Sequence, residues 1–122
     1  MRFAAAAAAV ACALAMPAWG QEQPAAQGSA AVLRALDKVN GHTMDAEVAI
    51  GGSSEMFGLL VTVSDCRFPA ENPTGDAYAY LTVRDPDDGA THFQGWMVAS
   101  SPALNALDHN RYDVWVMRCS SS

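Results

Sequence analysis

A serine pair, an aspartate and a histidine lie close together between residues 100 and 109. Ser100 or Ser101 would supply a nucleophile for a small hydrolase. His109 would act as its general base, and Asp108 would orient that base. The segment lacks the G-x-S-x-G turn that presents the nucleophile in many hydrolases. Ser101 followed by Pro102 is instead typical of a helix start, so hydrolysis is an alternative and we assign no catalytic residue.

The other polar groups do not have the spacing of a metal site. His42, His92 and His109 are dispersed, and none has a second ligand two or four residues away. The acidic turn at residues 85–89 (DPDDG) resembles a calcium loop. Its glycine falls at the fifth position, however, and Trp96 occupies the twelfth, where a glutamate is needed. We therefore expect no metal and no cofactor.

Aromatic side chains provide the remaining candidate surface. Tyr78, Tyr80 and Arg84 share one face of a predicted strand, opposite a smaller apolar face. If the apolar face lies in the core, the tyrosines are outside and can hold a peptide or a glycan; the alternative is that a second sheet covers them. Trp96 either adjoins a helix start able to receive an anion or packs in the core over that helix. The candidate binding surface contains Tyr78, Tyr80, Arg84, Trp96, Asp108 and His109.

Alternating apolar residues predict an all-β domain that positions these side chains. The predicted strands cover residues 32–39, 43–50, 57–66, 77–83, 92–98 and 112–119. A short helix is expected over residues 101–107. We expect a small sandwich or barrel of about six strands, because both faces of the last strand are apolar.

Residues 31–39 are ambiguous, because Val32, Leu36 and Val39 also have helical spacing. The Asn40-Gly41 pair that follows is a strong signal for a hairpin turn. We therefore favour a hairpin in which residues 32–39 pair with residues 43–50, and a helix is the alternative.

The first twenty residues have the pattern of a signal peptide. Arg2 precedes an apolar run over residues 4–14, and Ala18-Trp19-Gly20 is a small-x-small cleavage site. The apolar stretch of about thirteen residues is shorter than the roughly 20 that a membrane span needs, although a retained anchor is the alternative. We expect cleavage near Gly20 and a periplasmic or secreted location. A flexible leader over residues 21–30 and a single β domain over residues 31–122 would follow.

Composition and charge narrow the class of function. Of the 122 residues 51% are apolar, but alanines of the first thirty residues inflate that share, and the net charge of -6 becomes about -7 after cleavage. Such acidity repels nucleic acid and anionic lipid, so we expect neither as a partner and no membrane span in the mature form. We favour a non-enzymatic envelope module that binds a protein or peptide. A small hydrolase and a small-ligand binder with a barrel interior are the alternatives.

Two cysteines remain after cleavage, because Cys12 lies in the signal peptide. Cys66 and Cys119 are 53 positions apart, and an even pair in an exported protein predicts a disulfide. Closing a loop of this length constrains the unfolded chain by about 4 kcal/mol in the chain-entropy model. The C-x-x-C spacing of redox sites is absent, so we expect a structural bond.

Several segments together resemble a known family. They are GWMVASSPALNALDH at residues 95–109, YDVWV at residues 112–116, Phe57-Gly58-Leu59 and the two cysteines. They are similar to a family of small exported proteins, mostly alphaproteobacterial, defined as a domain of unknown function. The Leu36-Asp37-Lys38 and Gly41 pattern resembles the opening of the same domain. The resemblance covers about residues 32 to 119 and implies an envelope location, but it brings no activity or catalytic residue. This chain departs from the family at Ala70 and Asn110, two loop positions where the family has proline.

The cysteine count generates a first prediction. We expect the mature protein to contain no free thiol under non-reducing, denaturing conditions, because Cys66 and Cys119 are paired. An Ellman titration measures this directly, and a reduced sample is the positive control. Two titratable thiols per chain in the oxidised sample would contradict the assignment.

Overall fold

The computed structural model describes residues 24–121, which form two antiparallel sheets built from eight strands. The strands are β1 Ala25–Gln27, β2 Ala30–Asp37, β3 Thr43–Ala49, β4 Ser53–Met56, β5 Leu59–Pro69, β6 Tyr78–Arg84, β7 Thr91–Val98 and β8 Tyr112–Ser120. The larger sheet has the order β1-β5-β6-β7, and β4 also pairs with β5. The smaller sheet has the order β3-β2-β8. The predicted signal peptide lies outside the described residues.

The all-β prediction is confirmed, and so is the hairpin over residues 32–50. β2 pairs with β3 in a register that places Ala35 opposite Met44, which excludes the helical alternative for this segment. Gly41 takes the left-handed conformation that the turn between the two strands requires, with φ of 78°. The two sheets are not closed into a barrel, so the barrel prediction is wrong.

The predicted short helix is also wrong. Residues 101–107 form turns, in which the N–H of Leu104 donates to the carbonyl of Ser101, and residues 24–121 contain no helix. A helix here would be about two turns long, which is too short to be stable without a buried apolar face. Leu104 is instead 73% exposed and Leu107 is the one buried residue of the segment, so there is no continuous apolar face to stabilise a helix. Along the same described part of the chain, no helix is long and apolar enough to cross a membrane.

The strand count is eight rather than six because two short strands lie in segments expected to be irregular. β4 lies between the predicted strands 43–50 and 57–66, and β1 lies within the expected flexible leader. β1 forms because β5 continues to Pro69, which leaves backbone groups available for pairing at Phe68 and Arg67. Gly28 then donates its N–H to the carbonyl of Cys66, and Ser29 donates to Ser120, so the chain crosses from one sheet to the other.

Two β-bulges determine which side chains enter the core between the sheets. In β5 the inward residues change from Val61 and Val63 to Cys66 after a bulge between Val63 and Asp65. In β8 they change from Val116 to Cys119 where the pairing with β2 shifts. Both cysteines are thereby turned inward, and they form a disulfide with a Cα–Cα distance of 5.8 Å. The predicted bond is present and joins the larger sheet to the smaller one.

Gly28 lies directly over this bond. A Cβ at Gly28 would stand 2.7 Å from the carbonyl oxygen of Ser120 and 3.0 Å from the Cβ of Cys119. The crossing from β1 to β2 therefore needs a residue without a side chain at this position.

The disulfide generates a stability prediction. We expect the double variant Cys66→Ser, Cys119→Ser to lose about 2 to 5 kcal/mol of unfolding free energy, because the loop constraint on the unfolded chain is removed. Urea unfolding followed by tryptophan fluorescence measures the loss. The oxidised wild-type protein is the reference, and the reduced wild-type protein should match the variant. A loss of unfolding free energy below about 1 kcal/mol would contradict this prediction, because it would show that sheet packing alone stabilises the junction of the two sheets.

Candidate functional site

An exposed aromatic face lies on the outer side of the larger sheet. Ala79, Leu81 and Val83 point into the core, so Tyr78 and Tyr80 lie on the opposite side of β6. The smaller sheet packs against the inner side, so the alternative in which a second sheet covers the tyrosines is wrong.

Trp96 completes this aromatic face from the neighbouring strand. It lies opposite Tyr80 in the β6–β7 pairing, with ring centroids 5.5 Å apart and an interplanar angle of 82°. This is the edge-to-face geometry that aromatic pairs prefer. Trp96 is 42% exposed and residues 101–107 form no helix, so both expectations for it, an anion site at a helix start and core packing over that helix, are wrong. We call Tyr78, Tyr80 and Trp96 the aromatic face.

A fixed carboxylate borders the aromatic face on β5. Asp65 lies opposite Tyr80, and its side chain accepts hydrogen bonds from Arg67 Nε at 2.9 Å and Gln27 Nε2 at 3.0 Å. Burial of Asp65 opposes ionisation, but the hydrogen bonds from Arg67 and Gln27 outweigh it and lower the pKa of Asp65. The edge of the aromatic face therefore presents an ionised, already paired carboxylate.

The loop of residues 99–111 connects β7 to β8 and is anchored first to the larger sheet. Ser100 donates from both its N–H and its Oγ to the carboxylate of Asp76, at 3.0 and 2.8 Å. Asn105 Nδ2 donates to the carbonyl of Trp96 at 2.8 Å. These bonds hold the first half of the loop against the outer edge of β7.

His109 anchors the second half of the loop. Its Nδ1 accepts hydrogen bonds from the backbone N–H groups of Arg111 and Tyr112, at 3.0 and 3.1 Å. Its ring packs edge-on against His92, with centroids 4.9 Å apart. Its backbone carbonyl accepts a hydrogen bond from Lys38 Nζ. Because Nδ1 accepts two hydrogen bonds, the proton of the neutral ring must be on Nε2.

Next to His109, an ion pair between the buried carboxylate of Asp37 and the half-exposed side chain of Arg111 joins the end of β2 to the start of β8. Asp37 is buried and accepts hydrogen bonds from Arg111 Nε and Nη2, the latter at 2.9 Å, and from the N–H of Val39. The Arg111 guanidinium lowers the pKa of Asp37, with burial opposing it. The ion pair between Asp37 and Arg111 therefore holds the end of the loop against β2.

The hydrolase alternative lacks its central contact in this arrangement. The hydroxyl of Ser100 is donated to Asp76, and His109 uses Nδ1 to hold the backbone. Among the described residues, no hydrogen bond joins His109 to Asp108, Ser100 or Ser101. Residues 24–121 also contain no group of three histidine, cysteine or acidic side chains able to hold a metal ion.

The predicted binding residues thus fall into two places. Tyr78, Tyr80 and Trp96 come together, and Arg84 lies on the same outer face at the far end of β6, opposite Leu60. His109 belongs to the loop anchor, and Asp108 beside it is exposed. The structure therefore does not bring all six residues into one surface.

Sequence reasoning missed a groove between the loop and β8. It has a volume of about 290 Å³ and is lined by Pro102, Ala103, Ala106, Asp113, Val114 and Trp115. Leu104, 73% exposed, lies in the same stretch of loop as the first three. The sequence signal in this stretch is Ser101-Pro102, which predicts a helix start and gives no indication of a groove. The cavity is a surface groove, whereas the small-ligand alternative requires a barrel interior, and the two sheets do not close into a barrel.

His109 generates a pH prediction. Partial burial lowers the pKa of His109, His92 and Lys38 act in the same direction, and Asp85 opposes them. The unfolded chain therefore takes up the proton first, and the unfolding free energy should fall as the pH drops below about 6.5 towards the pKa of the folded state. Urea unfolding at a series of pH values measures this, and His109→Gln should reduce the slope. His42→Gln, at an exposed turn, is the control; an unchanged slope in His109→Gln would contradict the assignment.

Comparisons with known proteins agree with the resemblance to a bacterial family of unknown function. The uncharacterized protein RP359 of Rickettsia prowazekii (strain Madrid E) is 24% identical over 88 residues, which are 70% of this chain and 57% of that protein. The chain therefore spans little more than half the length of this relative. No solved structure gives a significant match. A family model described as "Uncharacterized protein conserved in bacteria (DUF2155)" matches residues 31–119. Since this match covers most of the chain, the protein belongs to the uncharacterized bacterial family DUF2155.

Proposed function

We propose that this protein is an exported, non-enzymatic module of the cell envelope that binds a partner protein through the aromatic face. The observation that carries the proposal is the edge-to-face pair of Tyr80 and Trp96 on an uncovered sheet, with Trp96 42% exposed. Tryptophan and tyrosine are the residues most enriched among those that dominate binding energy at protein interfaces.

The surroundings of the aromatic face suit a protein partner. Trp96 and Tyr80 belong to neighbouring strands whose backbones are hydrogen-bonded, so the rings lose little freedom on binding. The bordering Asp65 and Arg67 are already paired, which leaves a polar rim around an apolar centre. A peptide or loop with an apolar anchor residue fits such a surface.

The signal peptide supports the envelope location. Residues 1–20 combine Arg2, a short apolar run and a small-x-small cleavage site. The Cys66–Cys119 disulfide is consistent with this location, because such bonds persist in oxidising compartments.

In-cell photo-crosslinking tests the proposal. A benzoylphenylalanine introduced at Gln94, which is exposed and two residues from Trp96 on the same face of β7, should give a discrete protein adduct in the periplasmic fraction. The same probe at Thr43, exposed on β3 of the other sheet, is the matched control and should give none. Mass spectrometry of the adduct identifies the partner.

Variants of Trp96 sharpen this test. Trp96→Ala should weaken binding of the identified partner by about 2 kcal/mol or more, which is roughly thirtyfold, and Trp96→Phe should restore much of it. Isothermal titration measures both constants. The proposal fails if Gln94 gives no adduct under any growth condition, or if the adduct persists unchanged in the Trp96→Ala background.

A further inference from the structure

β8 is an edge strand whose outer side has no strand partner within residues 24–121. Lys38 donates its N–H to the carbonyl of Arg111, and the pairing continues with Asp37 opposite Tyr112. Because alternate residues of an antiparallel strand direct their backbone groups to opposite sides, those of Tyr112 and Val114 face away from β2. The outer edge of β8 therefore carries backbone groups that no neighbouring strand in this part of the chain pairs with.

Local side chains occupy the N–H groups on this edge. The N–H of Tyr112 donates to His109 Nδ1, and the N–H of Val114 donates to Asp113 Oδ1 at 2.9 Å. An aspartate that binds the N–H of the next residue is a local substitute for the carbonyl of a neighbouring strand. Such a bond is replaceable, because a strand added alongside offers Val114 a backbone acceptor instead.

The edge of β7 differs from that of β8 because the loop of residues 99–111 bonds to its outward backbone groups. The carbonyl of Trp96, which faces outward from β7, is occupied by the side chain of Asn105 from the loop. The carbonyl of Val98 accepts the N–H of Ser101. The loop of residues 99–111 thus covers β7, but it leaves the groove of about 290 Å³ between itself and β8.

The walls of the groove indicate the chemistry of an occupant. The loop side is apolar, with Pro102, Ala103 and Ala106 lining it and Leu104 exposed beside them. Small side chains leave room for the larger apolar side chain of a partner. The strand side contributes the carboxylate of Asp113, for which the structure has no ion pair partner among the described residues.

Charge indicates a basic occupant. Residues 24–121 contain twelve acidic and six basic side chains. Three of the basic ones are already used in ion pairs with acidic neighbours, namely Arg34–Asp45, Arg67–Asp65 and Arg111–Asp37. The domain as a whole is therefore acidic, and together with the carboxylate of Asp113 in the groove this charge attracts a cationic segment.

We propose that the outer edge of β8 is a strand-addition site for an extended segment of a partner protein, in which apolar residues alternate with lysine or arginine. The segment would pair its backbone with β8 at Val114, place an apolar side chain in the groove and a basic one near Asp113. This site lies on the smaller sheet, so the proposal does not depend on the aromatic face of the larger sheet. A second copy of this chain is disfavoured, because pairing two β8 edges would bring together two acidic domains.

A peptide display library tests this proposal with the mature protein as bait. Random dodecapeptides are selected on the wild-type protein and counter-selected on Ala106→Trp, in which the new side chain fills the groove. We expect enriched peptides that alternate apolar and basic residues and lack proline at the centre, since proline removes the backbone donor. Thr43→Trp, with the same added bulk on the far edge strand β3, is the matched control and should retain binding.

Affinities of the enriched peptides are then measured by fluorescence polarisation. Ala106→Trp should weaken binding about tenfold or more, which corresponds to 1.4 kcal/mol. Asp113→Asn preserves an acceptor for the N–H of Val114 and removes only the charge. It should weaken binding by about two- to fivefold and reduce its dependence on salt.

Three outcomes would overturn the proposal. The first is a lack of enriched peptides, and the second is enriched peptides that bind Ala106→Trp as well as wild type. The third is a concentration-dependent dimer in analytical ultracentrifugation that Ala106→Trp abolishes, since this would assign the edge to a second copy of the chain. Loss of crosslinking at Gln94 has no bearing on these results, so the two proposals fail separately.

Discussion

The disulfide between Cys66 and Cys119 can form only because a β-bulge precedes each cysteine. Strict alternation along β5 would place Cys66 on the face opposite Val63, and strict alternation along β8 would place Cys119 opposite Val116. Each bulge adds one residue and turns the following side chains to the other face. The disulfide therefore joins the two sheets at the point where the bulges in β5 and β8 change which side chains point into the core. Gly28 lies against Ser120 at this same junction, where the chain crosses from β1 to β2.

Joining the sheets in this way determines which surfaces stay open. The smaller sheet covers the inner side of β5 and β6, so the outer side with Tyr80 and Trp96 faces solvent. The loop of residues 99–111 then spans the gap between the edge of β7 and the edge of β8. It is fixed at one end by Asp76 and at the other by His109. The aromatic face and the groove are therefore both products of a sandwich whose sheets differ in width.

Much of the fold could be predicted from local pattern. Alternation located β2, β3, β5, β6, β7 and β8 within a few residues, and the alternation of Tyr78 and Tyr80 with Ala79 correctly separated two faces. Local pattern could not say whether a second sheet covers the tyrosines, because that depends on contacts between residues distant in sequence. Local pattern also could not show that Cys66 points into the core, since nothing in the residues around Val63 distinguishes a bulge from a regular strand.

The candidate site was predicted less completely than the fold for a related reason. The groove forms between a loop and a strand, and Ala106 and Val114 meet there only after both are fixed to different sheets. Ser101-Pro102 indicated a helix, but the side chain of Asn105 bonds to β7 and the loop follows that edge. The histidine and serine that suggested catalysis serve instead as loop anchors, a role that residue type alone does not reveal.

The central position of β2 has a consequence for how the molecule is assembled. β2 lies between β3 and β8, so the first long strand of the chain needs the last strand to complete its sheet. Contacts between the two ends of a chain close slowly, because the whole intervening polypeptide must be ordered first. A polypeptide emerging from its amino end cannot finish the smaller sheet until β8 is free. The smaller sheet would thus be completed late, after every strand of the larger sheet has already emerged.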